Sequence, residues 1–238
     1  MRFLKMRRSS AAVRKCGTQS VTPLIVDSPR KFAPDSERTE TTMSVKRCQL
    51  ITGPHDSGKT RWLHRLHDEW AGIWGAKIKR EPVFISGLSP LSVWTDAPHV
   101  ATWHDEHEPE KPWKNLNQHH KADALAAYLR DGRGLLFVDD AHKLTGRKLQ
   151  AARACVMAAH VWVISTSAEN RIAPNLRPVI ERRDPQRTRL QSDASYDATS
   201  LAMWMLIVVM AGAGWWEASL VLGGMKALGS GRNASKAD

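Results

Sequence analysis

The sequence predicts a three-layer α/β fold, in which helices cover both faces of a parallel sheet and a transmembrane helix follows at the C-terminal end. Three observations lead to this prediction. A short apolar run, a glycine-rich loop and a helical pattern follow one another over residues 48–74. Later apolar runs at 134–138 and 161–164 are typical of buried strands. Finally, residues 201–216 carry no charge.

The glycine-rich loop matches the phosphate-binding P-loop pattern G-x-x-x-x-G-K-[ST] in full. Its glycines let the backbone curl, so that consecutive N–H groups and the N-terminus of the next helix point at phosphates. A chance glycine-rich turn is the alternative, but the strand and helix on either side argue against it. We therefore expect a nucleoside triphosphate, ATP, to bind to Gly53, Pro54, His55, Asp56, Ser57, Gly58, Lys59 and Thr60.

An acid at the end of a later buried strand should complete the site. Asp139 and Asp140 come directly after four apolar residues, which is a Walker B pattern. Thr60 and Asp139 are the expected Mg²⁺ ligands. Lys59 is expected to stabilise charge on the transferred phosphoryl group, and Asp140 to orient the attacking water. The alternative is that the two acids only cap the helix that follows.

The stretch Asp-Asp-Ala-His-Lys-Leu at 139–144 is similar to the DEAH-x-L stretches of the additional-strand branch of P-loop NTPases, which includes AAA+ and STAND proteins. The resemblance covers residues 46–190 and implies an ATP hydrolase. Asp140 stands where many members carry a Glu, which is one methylene longer. The resemblance also implies a polar sensor of the γ-phosphate at Ser165 and Thr166, although a simple turn explains such residues equally well.

The positive charge of the chain is concentrated in two places. The formal net charge is +11. Residues 1–42 hold nine Lys and Arg against four acids, and residues 171–190 hold six Arg against two. One of these six could be an arginine finger for a neighbouring subunit in a homo-oligomer, whereas a solvated basic face or a membrane topology signal explains most of them. The charge does not by itself support nucleic-acid binding.

Residues 1–42 lack sustained hydrophobic periodicity, so we expect a disordered basic segment there. Met43 is a plausible alternative start, because it precedes the first predicted strand by a few residues. The P-loop domain is then expected over residues 43–195. Three widely spaced cysteines favour reduced thiols and a cytoplasmic domain.

The C-terminal apolar stretch predicts a transmembrane helix over residues 200–225, followed by a short flexible tail at 226–238. Its sixteen uncharged residues cover about 24 Å as a helix, so the span must continue past Glu217. A buried core helix or a subunit-contact helix is the alternative. Arginines before the stretch outnumber the basic residues after it, which favours a single-pass membrane protein with the NTPase domain in the cytoplasm.

A histidine-rich stretch lies between the second and third predicted strands. Its residues include His99, His104, His107, His119 and His120. A metal site is one explanation, but the interspersed acids and lysines favour a solvated loop.

The prediction is thus a membrane-anchored ATP-binding protein that acts as a Mg²⁺-dependent ATPase. The P-loop with a single span also resembles Zot-type phage assembly ATPases, although this chain has little sequence after the span. A nucleotide-gated membrane scaffold without turnover is a second alternative, and a small-molecule kinase is a third. The sequence does not identify a protein partner.

Overall fold

The structure is a computed structural model, and it describes residues 2–13, 19–29, 34–191 and 198–216. The chain divides into two compact units, Met1–Ser192 and Asp193–Asp238, and each is described by itself.

Strands and helices alternate over most of the first unit. The strands of the described residues are β1 (Arg2–Val13), β2 (Gln19–Asp27), β3 (Thr39–Thr42), β4 (Gln49–Thr52), β5 (Val83–Ser86), β6 (Leu135–Asp139), β7 (Val161–Thr166) and β8 (Gln186–Arg189). The α-helices are α1 (Lys59–Asp68), α2 (Trp70–Trp74), α3 (Leu91–Trp94), α4 (Pro98–His107), α5 (Gln118–Asp131), α6 (Gly146–Ala158), α7 (Arg177–Glu181) and, in the second unit, α8 (Ala198–Gly212). Short 3₁₀ turns occupy Asp35–Glu37, Trp113–Asn115, Ala141–Lys143 and Glu169–Arg171.

Five strands form a parallel sheet in the order β5-β6-β7-β4-β8. Strands β4, β6 and β7 are buried along their whole length. Their side chains alternate between two apolar clusters, so that Leu135 and Phe137 enter one cluster while Leu136 and Val138 enter the other. The sheet is therefore covered on both faces, and the predicted three-layer α/β domain with a parallel sheet is confirmed.

The amino-terminal segment corrects the expectation of disorder over residues 1–42. Its described part forms an antiparallel sheet in the order β1-β2-β3. Leu4 and Val21 bury their side chains in the same apolar cluster as Trp74 of α2. Gly72 permits the close approach, because a Cβ there would lie 2.6 Å from Cγ2 of Val21. Burial against these helices offsets the entropy cost of ordering the strands.

The histidine-rich stretch is helical and not a loop, because α4 and α5 occupy most of it. His104 is buried, and its ring lies 5.6 Å from the ring of Trp113. Apolar side chains of both helices, including Val100 and Leu125, enter the core. No group of three His, Cys, Asp or Glu side chains is placed to hold a metal ion among the residues that the structure describes.

The described part of the second unit contains helix α8, which has 15 residues. Residues 217–225 of the predicted span, and the predicted tail at 226–238, lie outside the described residues. Across the described ranges, no helix combines the length and the apolar character needed to cross a bilayer.

Candidate nucleotide-binding site

The predicted site residues come together at one edge of the parallel sheet. Strands β4, β6 and β7 end there at Thr52, Asp139 and Thr166. The P-loop leaves β4 and enters α1 at Lys59. Crevices outside the carboxyl ends of parallel strands are where open α/β sheets bind ligands. The fold thus places the loop, the acids and the polar residues at the end of β7 around one crevice.

The backbone of the P-loop requires glycine at two positions for different reasons. Gly58 has a φ of +81°, a left-handed conformation that L side chains rarely adopt. Gly53 is needed for space, because a Cβ there would lie 2.8 Å from the carbonyl oxygen of Leu190. Between them, Pro54, His55 and Asp56 are exposed. The tip of the loop therefore lies at the surface, where a ligand can approach it.

Lys59 folds back onto its own loop. Its ammonium donates a hydrogen bond to the carbonyl oxygen of Pro54 at 2.6 Å, and its Nζ lies 3.4 Å from Oγ of Ser57. Burial lowers the pKa of Lys59 from its ordinary value, and the nearby carboxylates of Asp140 and Asp139 oppose that shift. The ammonium therefore sits at the phosphate-binding loop with only internal oxygen partners, which phosphate oxygens could replace.

Thr60 and Asp139 meet across the crevice. The hydroxyl of Thr60 donates to Oδ2 of Asp139 at 2.9 Å. The hydroxyl of Ser165 donates to the other oxygen, Oδ1, at 2.5 Å, and the backbone N–H of Asp140 contacts the same oxygen at 3.1 Å. Asp139 is itself only 5% exposed. Its carboxylate is therefore held in one orientation by hydrogen bonds to both of its oxygens.

Asp140 adopts a left-handed backbone conformation, with φ 51° and ψ 49°. Asp and Asn tolerate this region better than other side chains that have a Cβ, because their short polar groups can bond locally. The shorter acid at this position therefore suits the backbone that leaves β6. The side chain of Asp140 is 20% exposed, so its carboxylate remains open to solvent at the crevice.

The two predicted sensor residues have different surroundings. Ser165 is fully buried, and its hydroxyl is already engaged by Asp139. Thr166 is also buried and donates its hydroxyl to the carbonyl oxygen of Ala168 at 3.1 Å. Contact of either residue with nucleotide stays a prediction, whereas the support that Ser165 gives to Asp139 is a direct hydrogen bond.

His142 is a site residue that the sequence reasoning missed. It lies in the 3₁₀ turn after β6, and its Nδ1 is 4.0 Å from Oδ1 of Asp140. Burial lowers its pKa from the ordinary value, and the positive charges of Lys143, Lys59 and Arg171 act in the same direction. The signal was present in the sequence, because His142 belongs to the stretch at 139–144 that carries the family resemblance.

Three of the six arginines of residues 171–190 make local contacts. Arg177 and Arg183 donate hydrogen bonds to backbone carbonyls of neighbouring turns. Arg187 pairs with the carboxylate of Glu169 at 3.4 Å, and both side chains are about half exposed. Such exposed pairs add little stability. An arginine that serves the nucleotide of a neighbouring subunit stays a prediction.

The strand order and the loop define a P-loop NTPase fold. Strand β7 lies between the P-loop strand β4 and the acid strand β6. Thr60, the last residue of the P-loop pattern, is hydrogen-bonded to Asp139 at the end of β6. The three-layer arrangement with its parallel sheet therefore fits a P-loop NTPase fold.

No protein-family model matches the chain, and no curated protein matches it. Among solved structures, a DNA replication initiation factor matches with 13% identity over 71% of this chain and 46% of that chain, at a TM-score of 0.37. AMPPCP-bound DnaA from Aquifex aeolicus matches with 15% identity over 62% of this chain and 41% of that chain, at a TM-score of 0.35. Cdc6p from Pyrobaculum aerophilum matches with 16% identity over 60% and 38%, at a TM-score of 0.39. The chain spans less than half the length of each of these structures.

Replacing Ser165 by Ala is expected to weaken the affinity of the site for Mg²⁺ without removing nucleotide binding. The variant loses one of the bonds that orient Asp139, and removal of such a supporting partner typically costs about 10- to 100-fold in metal affinity. The Mg²⁺ concentration needed for half-maximal phosphate release should rise by that factor. Ser92→Ala, an exposed serine on α3, is the control. An unchanged Mg²⁺ requirement in Ser165→Ala would contradict the supporting role.

Proposed function

We propose that this protein binds ATP with Mg²⁺ and hydrolyses it, as a member of the AAA+-like branch of P-loop NTPases. The observation that supports this best is the hydrogen bond between Thr60 and Asp139, which joins the P-loop helix to the acid strand. A glycine-rich turn without this function would not need a buried carboxylate fixed opposite a hydroxyl at the first turn of the helix.

The donor atoms at this point fit Mg²⁺. The hydroxyl of Thr60 and the carboxylate of Asp139 are hard oxygen donors, which Mg²⁺ prefers. These two residues would hold the ion, directly or through water. When bound, Mg²⁺ neutralises charge that develops on the phosphate oxygens. Since Asp139 is also held by Ser165, its carboxylate is already oriented before any ion arrives.

The other residues of the site can perform the remaining steps of hydrolysis. The N–H groups of the P-loop cradle the phosphates, and Lys59 leaves the carbonyl of Pro54 to contact the terminal phosphates. Asp140, which is open to the crevice, orients a water molecule for attack on the γ-phosphorus and accepts its proton, while the bond from that phosphorus to the β–γ bridging oxygen breaks and ADP leaves. Phosphate release from Mg-ATP by the 238-residue chain tests this proposal. Protein that binds ATP but releases no phosphate would support the scaffold instead.

We also propose that the C-terminal segment attaches the protein to a membrane. In the described part of this unit, large apolar side chains are exposed, among them Met205, Val208 and Trp215 at 63%, 66% and 68%. Burial of such side chains in a bilayer is favourable, whereas water opposes their exposure. A Zot-type motor is not proposed, because no feature of the described residues beyond the P-loop domain favours it.

The protein is expected to stay in the membrane fraction after washes with high salt and with alkaline carbonate. A truncation that ends at Ser200 should be recovered in the soluble fraction. Salt screens an electrostatic attachment through residues 171–190, but it does not weaken the burial of apolar side chains. A control variant that replaces Arg182 and Arg183 by Gln should remain bound if the attachment is apolar. Release of the unmodified protein by salt, or retention of the truncated one, would contradict membrane attachment through this segment.

A further inference from the structure

His142 is held at the crevice by one of its two ring nitrogens. It lies in the turn that follows β6, and its side chain is 13% exposed. The backbone N–H of Ser167, just after β7, points at Nδ1 with an N–N distance of 3.3 Å. The ring is thus attached to the ends of two neighbouring strands, both of which contribute residues to the nucleotide site.

This contact fixes the tautomer of the imidazole. A backbone N–H can only donate, so Nδ1 must accept and must lack a proton. The proton of the neutral ring is therefore on Nε2. The lowered pKa of His142, which is due mainly to burial, agrees with a neutral ring. The described residues provide no hydrogen-bond partner for Nε2.

The surroundings of the ring belong to the phosphate site. Asp140 lies beside Nδ1, and the charges of Lys59 and Arg171 are near enough to influence the ring. Lys59 is in turn near Asp140 and Asp139. A hydrogen-bond donor with a fixed direction therefore stands among the groups that are expected to surround the end of a triphosphate.

We propose that His142 donates a hydrogen bond from Nε2 to the γ-phosphate of bound ATP and so lets the site distinguish ATP from ADP. This inference rests on the proposed nucleotide site. A neutral donor is suited to this position, because an imidazolium would pair with the carboxylate of Asp140 and withdraw it from water. The hydrogen bond from Ser167 supports the ring from the opposite side.

Two substitutions separate this role from a purely structural one. The oxygen of Asn can take the position of Nδ1, so His142→Asn can still accept from Ser167, but it has no donor at the position of Nε2. The longer Gln places its amide near the position of Nε2, so His142→Gln retains a donor and loses the acceptor. If His142 has only a structural role, His142→Asn should keep the preference for ATP better than His142→Gln. If His142 contacts the γ-phosphate, His142→Gln should keep it better.

The test is isothermal titration of the 238-residue chain and both variants with Mg-ATP and with Mg-ADP. For His142→Asn we expect the affinity for ATP to fall by about 10- to 100-fold, as for loss of a hydrogen bond to a charged group, with the ADP affinity unchanged. His142→Gln should keep most of the preference for ATP. If the original chain binds both nucleotides and His142→Asn keeps its preference, only this inference is overturned. If the original chain binds neither nucleotide, the proposed function and the inference both fail.

Discussion

Replacing Lys59 by Ala is expected to abolish the binding of Mg-ATP. Lys59 lies within the P-loop and is 8% exposed, and its ammonium donates to the carbonyl of Pro54. Without this cation, the terminal phosphates lose the positive charge that is expected to stabilise them. Isothermal titration of the 238-residue chain should show no measurable heat of binding for the variant at ATP concentrations that saturate the original protein.

The matched control for this experiment is Lys77→Ala. Lys77 is an exposed lysine whose charge acts on His160. His160 directly precedes β7 and so lies at the sheet edge opposite the candidate site. This variant should bind ATP like the original chain. If Lys59→Ala binds ATP as tightly as the control does, the assignment of the nucleotide site is wrong.

Replacing Asp140 by Asn is expected to leave ATP binding intact and to lower the rate of phosphate release by about 10² to 10⁴, the range for a lost general base. Asn keeps the size of the side chain, and it also tolerates the left-handed backbone of this position. The rate should therefore fall because of the lost negative charge and not because the turn rearranges. Phosphate release under saturating Mg-ATP measures the effect, and titration with ATP confirms that the site is intact.

Asp68→Asn, at the exposed end of α1, is a control for the change of charge. It should leave the rate unchanged. Asp140→Glu tests the backbone at this position. Many P-loop ATPases carry a Glu here, but Glu is less suited to the positive φ of this residue than Asp. Turnover in Asp140→Asn equal to that of the original chain would show that Asp140 does not activate water.

The sequence was sufficient to predict which residues come together at the candidate site where a motif carries its own geometry. The P-loop pattern contains the turn, the lysine and the hydroxyl within eight consecutive residues. Asp139 could be predicted because an acid after a buried apolar run ends at the same sheet edge as the loop. The role of Ser165 as a support for Asp139 depends on the side-by-side pairing of β6 and β7, which the sequence does not state. The tautomer of His142 depends on the same pairing.

The amino-terminal sheet was missed for a physical reason. Pro23 interrupts the apolar run of β2, and proline is rarely found in a central strand because it cannot donate to a ladder. The outer positions of β1, such as Lys5 and Arg7, are basic and pair with Glu40 of β3. Because of these charges, the alternation of buried and exposed residues along β1, which starts at Leu4, is hard to recognise in the sequence. The burial that stabilises the sheet comes from residues about fifty positions later in the chain, and a local pattern does not report it.

This arrangement has a consequence for the order of events during synthesis. Strands β1 and β2 leave the ribosome before α1 and α2, which cover their apolar face. Strand β3 also precedes these helices and can pair with β2, but the apolar face that the helices cover stays exposed to water until they are made. At about 5 to 20 residues per second, the delay between Val21 and Trp74 amounts to several seconds. The part of the domain that is made first therefore completes its folding only after the P-loop and its helix have been made.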